Sequence, residues 1–310
     1  VLNGALTLSN TNFISNTTTG SGNAGAVYAG GAASVQGGLF QGNSSAGSGG
    51  ALYVAGGGTT ISGTQFIGNQ VPNGHGGAVW VNGGNHTVIN ATFSRNSAGS
   101  SITATQAGGL YNYGGALTIQ NTTFVSNTAG GDGGGLFTNN GTVTVTNSTF
   151  YGNNSFEGGG ISNLGSALTI INATLANNRT SHSLGDNLRS ATGSTTVLEN
   201  TIVANGPAVS DCLGTFIDGG GNVESGNSCG FSVANHSKPN TNLVPGSLGD
   251  NGGSTWTMAL PLASPAVDAA VDANCPSTDQ RSVPRPQGPH CDSGAYEFVG
   301  KYLYLPLIRR

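Results

Sequence analysis

Charge is what this sequence has least of. Of 310 residues only 9 are Lys or Arg and 13 are Asp or Glu, giving a formal net charge of −4. So thin a set holds no basic patch for a phosphate backbone, and nucleic-acid binding is not expected. Methionine occurs once, and strong helix formers never run at helical spacing, which argues against a helical repeat. No run of 18 apolar residues is present and no positively charged apolar leader follows Val1, so no membrane span is expected and any anchoring would be indirect. The histidines (His75, His86, His182, His236 and His290) show neither HxH nor HExxH spacing, so no metal and no cofactor is expected. The GGxGxD nonapeptide of calcium rolls is missing too. Before residue 206 there is one proline, Pro72, and no cysteine.

Glycine fills the space, 54 residues of it, with Asn, Thr and Ser, and the pattern they make recurs. The stretch Leu117 to Asn127, LTIQNTTFVSN, is one statement of it. Anchored on Phe13, Phe40, Phe66, Phe93, Phe124, Phe150, Leu175 and Ile202, the gaps are 27, 26, 27, 31, 26, 25 and 27 residues. Five positions before each anchor stands an aliphatic residue: Leu8, Val35, Ile61, Val88, Ile119, Val145, Ile170 and Val197. Three positions after it stands an asparagine: Asn16, Asn43, Asn69, Asn96, Asn127, Asn153, Asn178 and Asn205. A glycine pair opens a second strand in most units, as in Gly49-Gly50 and Gly76-Gly77. Apolar residues alternate at spacing two, which is strand chemistry with turn punctuation.

These features predict an all-β chain, a right-handed parallel β-helix with about 27 residues and about three short strands per coil. Like residues then stack at the inter-strand spacing of about 4.8 Å, so the asparagines are expected to form a structural amide ladder around a dry core of Val, Ile and Phe. Coils are expected over 1–205, with the Ser97 to Gln106 insertion as a surface loop. Val1 lies 12 residues before its anchor, so the first coil is expected to begin part-way round, with open strand edges that favour self-association. Asp186-Asn187 stands where the eighth unit should have its glycine pair, so regularity fades there.

Residues 206–310 read differently, holding ten of the eleven prolines, nine of the thirteen carboxylates and all four cysteines. Cys212 and Cys229 lie 17 apart and Cys275 and Cys291 lie 16 apart, which favours two local disulfides in an irregular C-terminal cap and an oxidising compartment. Reduced thiols or a four-Cys zinc site are the alternatives, zinc being disfavoured without a CxxC. The segments Asp250-Asn251-Gly252-Gly253, Ser264-Pro265-Ala266-Val267-Asp268-Ala269-Ala270, Asp279-Gln280-Arg281 to Arg285-Pro286 and Cys291-Asp292-Ser293-Gly294-Ala295-Tyr296-Glu297-Phe298 resemble the choice-of-anchor Q region of secreted bacterial parallel β-helix proteins. The repeats resemble the polymorphic outer-membrane-protein class. Ser282 departs from the glycine that often follows the DxR triplet in that family. The resemblance implies export to a surface or extracellular location and no particular reaction. Asp279, Arg281, Asp292 and Glu297 fall in its signature and are read as an ion-pair network sealing the cap, with a calcium site as the alternative. The tail (Tyr302, Leu303, Tyr304, Leu305, Leu307 and Ile308, ending in Arg309-Arg310) is read as a closing strand, with an assembly arm that docks on a neighbouring copy as the sharper alternative.

Catalytic candidates are few. A glycosidase needs two carboxylates, and the coils hold only Asp132, Glu157, Asp186 and Glu199, with Arg95, Arg179 and Arg189 as the basic residues. Asp132 and Glu157, 25 residues apart, could stack on one face; Arg179, His182 and Asp186 share a loop. Both sets are more simply solvated turn residues. Tyr53, Trp80, Tyr111, Tyr113, Phe137 and Tyr151 would suit glycans if they faced outward, but core positions are favoured. Eleven N-x-S/T triplets, Asn121, Asn147 and Asn235 among their asparagines, come mostly from the repeat itself and say little about glycosylation. The expected role is an extracellular, structural or adhesive cell-surface protein that stacks end to end into a filament, with itself or surface glycans as partner. A polysaccharide lyase or hydrolase, or a passive glycan binder, is the alternative.

Overall fold

The computed structural model describes residues 4–99, 101, 105–182, 185–204 and 210–300. The chain winds as an all-β parallel solenoid of about seven turns, each about 27 residues long. One turn runs through Leu110–Tyr113, Ala116–Gln120, Thr123–Val125 and Thr128–Ala129. Corresponding strands of successive turns pair in parallel, giving sheets of 8, 9, 9 and 7 strands, numbered one to four in that order. The turn therefore has four strands where the sequence pattern suggests about three. The fourth is a two-residue pairing just after the ladder asparagine, too short to leave an alternation in the sequence.

Alternation decides what enters the core. In the second sheet Leu117 and Ile119 point in and Thr118 points out, in register with Val143, Val145 and Thr144 of the next turn. In the third sheet each strand offers one inward residue, and the Phe13, Phe40, Phe66, Phe93, Phe124 and Phe150 rings stack at 4.6–5.0 Å between centroids. Complete burial of such a ring is worth about 1.5–3 kcal/mol relative to leaving it in water. Asn90, Asn121, Asn147, Asn172 and Asn200 stand at the bend between the second and third sheets with φ of 46–54°, a left-handed turn that asparagine tolerates and β-branched residues resist.

The amide column stands at the bend between the third and fourth sheets. The Nδ2 of Asn16 donates to Asn43 Oδ1, and the same bond repeats to Asn69, Asn96, Asn127, Asn153 and Asn178 at 2.8–2.9 Å. Each Oδ1 also accepts the backbone N–H of the preceding asparagine, and each Nδ2 from Asn43 on donates a second bond to a Phe carbonyl. From Asn43 to Asn178 these side chains have no solvent exposure. From Asn178 the chain of bonds passes to Asn187 Oδ1 at 2.8 Å and from Asn187 to the Asp211 carboxylate at 2.6 Å. All the donors point the same way, so the column carries an aligned dipole, and the Asp211 anion sits at its positive end.

In the eighth repeat of the sequence the register departs from the sequence reading. Leu175 pairs with Val203 and Ile170 with Leu198, so Val203 and Leu198 fill the core and the expected Ile202 and Val197 do not. Ile202 faces outward and is buried under the C-terminal region, in a second cluster with Ala204, Val223, Leu243, Leu260, Ala266 and Ala269. Asn205 lies outside the described residues.

The chain after residue 210 does two things. The last strands of sheets one to three are Cys212–Gly214, Ile217–Asp218 and Val223–Glu224. The Cys212–Cys229 disulfide then brings Cys229 and Phe231 over the end of the main core. Beyond Leu243 the chain turns back as a strap along the flank of the solenoid, against the outer face of the third sheet. Asn200 exchanges bonds with the Val271 backbone, Asn172 donates to Asp292 O, Asn147 donates to Thr278 O, and Thr255 donates to Asn121 O. The left-handed asparagines thus serve as docking points for the strap. Gln280 adds a staple, accepting from Thr149 Oγ1 and donating to Thr123 Oγ1, Thr255 Oγ1 and Trp256 O.

Candidate functional site

One face of the coils carries a column of aromatic side chains that ends in an ionic group. The second residue of each first-sheet strand points outward, and in order these residues are Tyr28, Tyr53, Trp80, Tyr111, Phe137, Ser162, Arg189 and Leu213. Trp80 is outward, not core: Val79 and Val81 on either side are the buried residues. Tyr111, Phe137 and Ala107 form a separate cluster with Trp80 packed against it. Tyr28 and Tyr53 stack at 5.2 Å, Tyr53 and Trp80 at 4.2 Å, with planes within 10°. Rings stacked this way turn their flat faces to each other and their edges and hydroxyls to water, so the faces that a sugar would lie on are already taken.

At its C-terminal end the column becomes ionic. Ser162 is small, and the Arg189 side chain reaches across it, touching Ser162 Oγ at 3.3 Å. Arg189 pairs with Asp132 at 2.8 Å and with Glu157 at 2.6 Å, and Glu157 also meets His182 Nδ1 at 2.6 Å. Asp132 and Glu157 come from equivalent bends of successive turns. Burial pushes the Asp132 carboxyl above its ordinary range, against the pull of Arg189. The sequence places Arg179, His182 and Asp186 in one loop; the structure separates their roles. Asp186 is fully buried and accepts from the Thr180 N–H and hydroxyl, Arg179 is exposed, and His182 joins Glu157. Arg189, which ties the group together, stands out in the sequence only by lying two residues after the second glycine-pair position, the offset that Tyr111 and Phe137 occupy in theirs.

The signature carboxylates lie in the strap rather than over the solenoid end. Asp279 accepts Arg281 Nε and Nη2 at 2.9 and 2.7 Å and the backbone N–H groups of Arg281, Val283 and Glu297. Arg281 also covers the Tyr296 ring, 3.5 Å from its centroid. Arg285 pairs with Glu297 at 2.9 Å with neither side chain exposed. Asp292 accepts the Asp268 and Phe298 N–H groups, and burial pushes its carboxyl up to about 6. Two of these carboxylates thus each hold a guanidinium while the third accepts backbone N–H groups, and a network so supplied with donors is suited to holding the strap's shape. The second disulfide, Cys275–Cys291, closes the neighbouring loop. Among the described residues no group of three or more His, Cys, Asp or Glu is placed to hold a metal ion. The tail residues Tyr302, Leu303, Tyr304, Leu305, Leu307 and Ile308 lie outside the described residues.

The fold and these sites define a disulfide-bearing parallel β-solenoid. No family model, no curated protein and no solved structure matches the chain.

Proposed function

We propose that the chain is an extracellular rod with a structural or adhesive role at a cell surface. What carries the reading is the interior: an unbroken amide column and a phenylalanine stack tie the successive turns into one stiff body. Two disulfides favour an oxidising compartment. Among the described residues no helix is long and apolar enough to cross a membrane. The likeness of the strap motifs to the choice-of-anchor Q region supports export from a bacterial cell. Low charge along the coils and the apolar tail support assembly of rods with one another. Electron microscopy and sedimentation of the purified chain, with and without residues 301–310, test the assembly. Filaments that vanish on truncation are the expected result; monodisperse monomers in both samples overturn it.

A polysaccharide-cutting reading rests on the Asp132, Arg189, Glu157 and His182 group. Against it, one guanidinium holds both carboxylates, so neither is free to attack or to protonate until Arg189 moves. Release of reducing ends or unsaturated uronates from acidic and neutral polysaccharides, abolished by Asp132→Asn and Glu157→Gln, would establish that reading.

A further inference from the structure

The strap stops short of covering the third sheet. Its far end turns at Ser254 to Trp256, level with Asn121 and Thr123, and leaves a groove of about 460 Å³ against the neighbouring turns. Gln65, Thr92 and Ser94 of the third sheet form one wall with Arg95, and Ser254 and Trp256 form the other. Two of these residues are unusual in their setting.

Trp256 is 54 % exposed. Its backbone is nonetheless tightly fixed: its carbonyl accepts Thr123 Oγ1 at 2.6 Å and Gln280 Nε2 at 3.1 Å, and the preceding Thr255 hydroxyl is bonded at 2.9 Å on both sides. A large indole held out from a pinned backbone is a preorganised platform, unlike the edge-on column of the first sheet. Arg95 occupies the bend after the third-sheet strand, with φ of 53°. The same bend in the other turns is filled by Ser15, Gly42, Gly68, Ser126, Gly152 and Asn177, all small or tolerant of that conformation. Arginine gains nothing there from its backbone. Its side chain is exposed; the ion pairs among the described residues are made by other arginines and by histidines. The groove contains no carboxylate, so the guanidinium faces it without a counter-charge.

We propose that this groove binds a hexuronate residue of an acidic polysaccharide. The apolar face of the sugar lies on the Trp256 indole, and its carboxylate takes the fork of Arg95 in a bidentate, charge-assisted pair. The hydroxyls of Thr92, Ser94 and Ser254 and the Gln65 amide meet the sugar hydroxyls. The volume falls within the ordinary range for small-ligand clefts, about 300–1,000 Å³, and suits one or two sugar rings. The chain's net charge is −4, so a polyanion is not drawn in by the overall field, and recognition rests on this local pair. The site stands whether or not the rods assemble.

The test is titration of the full chain with a trigalacturonate, a neutral trisaccharide and a sulfated trisaccharide, followed by calorimetry and tryptophan emission. Trp80→Phe removes the other tryptophan and leaves affinity unchanged. The uronate trimer is expected to bind saturably and to shift Trp256 emission. Trp256→Ala abolishes binding, and Arg95→Gln weakens it about tenfold, the usual scale for losing one charge-assisted pair. Arg95→Gln also erases the preference over the neutral trimer. Both side chains are exposed, so unchanged melting curves confirm intact folding. Equal affinity for the neutral trimer, binding untouched in either variant, or no binding at about 10 mM uronate, which would nearly fill even a site with Kd of about 1 mM, overturns the proposal. Binding of the sulfated trimer alone overturns the carboxylate assignment.

Discussion

Replacing Asn127 with alanine tests whether the amide column holds the turns together. Asn127 Oδ1 accepts the backbone N–H and the Nδ2 of Asn96 at 3.0 and 2.9 Å, and its own Nδ2 donates to Phe93 O and Asn153 Oδ1, each at 2.9 Å. Alanine removes all four bonds at a site with no solvent exposure. Two donors of Asn96 and the Phe93 carbonyl lose a partner, and Asn153 Oδ1 keeps only its backbone donor. Each stranded buried group costs about 1–3 kcal/mol, so the loss is about 3–9 kcal/mol, at the low end if water enters the gap. Domain stabilities run about 5–15 kcal/mol, so the change is large on that scale. Asn16→Ala is the internal comparison: Asn16 is exposed, and a loss under about 1 kcal/mol is expected there. Urea titration followed by circular dichroism reads both. Asn127→Asp adds a sign. Its carboxylate would face two acceptors, so its folded pKa lies above the unfolded value of about 3.9. The variant is therefore least destabilised below that value and loses stability as pH rises through its folded pKa. If Asn127→Ala costs no more than Asn16→Ala, the column is ornament and the reasoning fails.

Other expectations follow from the C-terminal region. Cys212→Ser with Cys229→Ser opens a loop of sequence separation 17 and should cost about 3 kcal/mol by the chain-entropy estimate; an unchanged melting temperature in reducing buffer would count against a structural role. Asp292, raised by burial from 3.8 to about 6, favours the folded state most when protonated. Its contribution is full below pH 4 and lost as pH rises through 6, about 3 kcal/mol in all for a shift of roughly two units. Asp292→Asn should flatten the stability profile between those values relative to the parent chain, and parallel profiles would refute the assignment. Gln280→Ala strips partners from Thr123, Thr149 and Thr255 and should cost about 2–4 kcal/mol of strap docking. The readout is faster limited proteolysis between residues 250 and 300 with the coils still protected; uniform cleavage would show that the strap has no separate stability.

The legible parts of this structure are those that face inward. A column inside a solenoid demands the same side chain at every turn, so Phe40, Phe66 and Phe93, or Asn43, Asn69 and Asn96, write the period directly into the chain. Outward residues answer to partners at no fixed distance. Gln280 meets Thr123 from 157 residues away, and Arg189 meets Asp132 from 57, separations that no repeat predicts. Trp80 escapes the alternation argument because apolar residues flank it on both sides, and only the smaller Val79 and Val81 fit the interior. The eighth repeat shows the two influences acting together. Ile202 and Val203 are both apolar, so either could be the anchor, and periodicity alone favours Ile202 by keeping the gap at 27. An outward Ile202 would ordinarily waste its burial in water. The strap changes that balance: Leu243, Leu260 and Ala266 cover Ile202 from outside, while Gly294 brings its backbone against the same side chain with no room for a Cβ. With both faces of the turn dry, Val203 can take the core and Ile202 the flank. The register of the last turn and the docking of a strap some forty to ninety residues downstream are therefore a single choice, and the cover had to be known before the anchor could be placed.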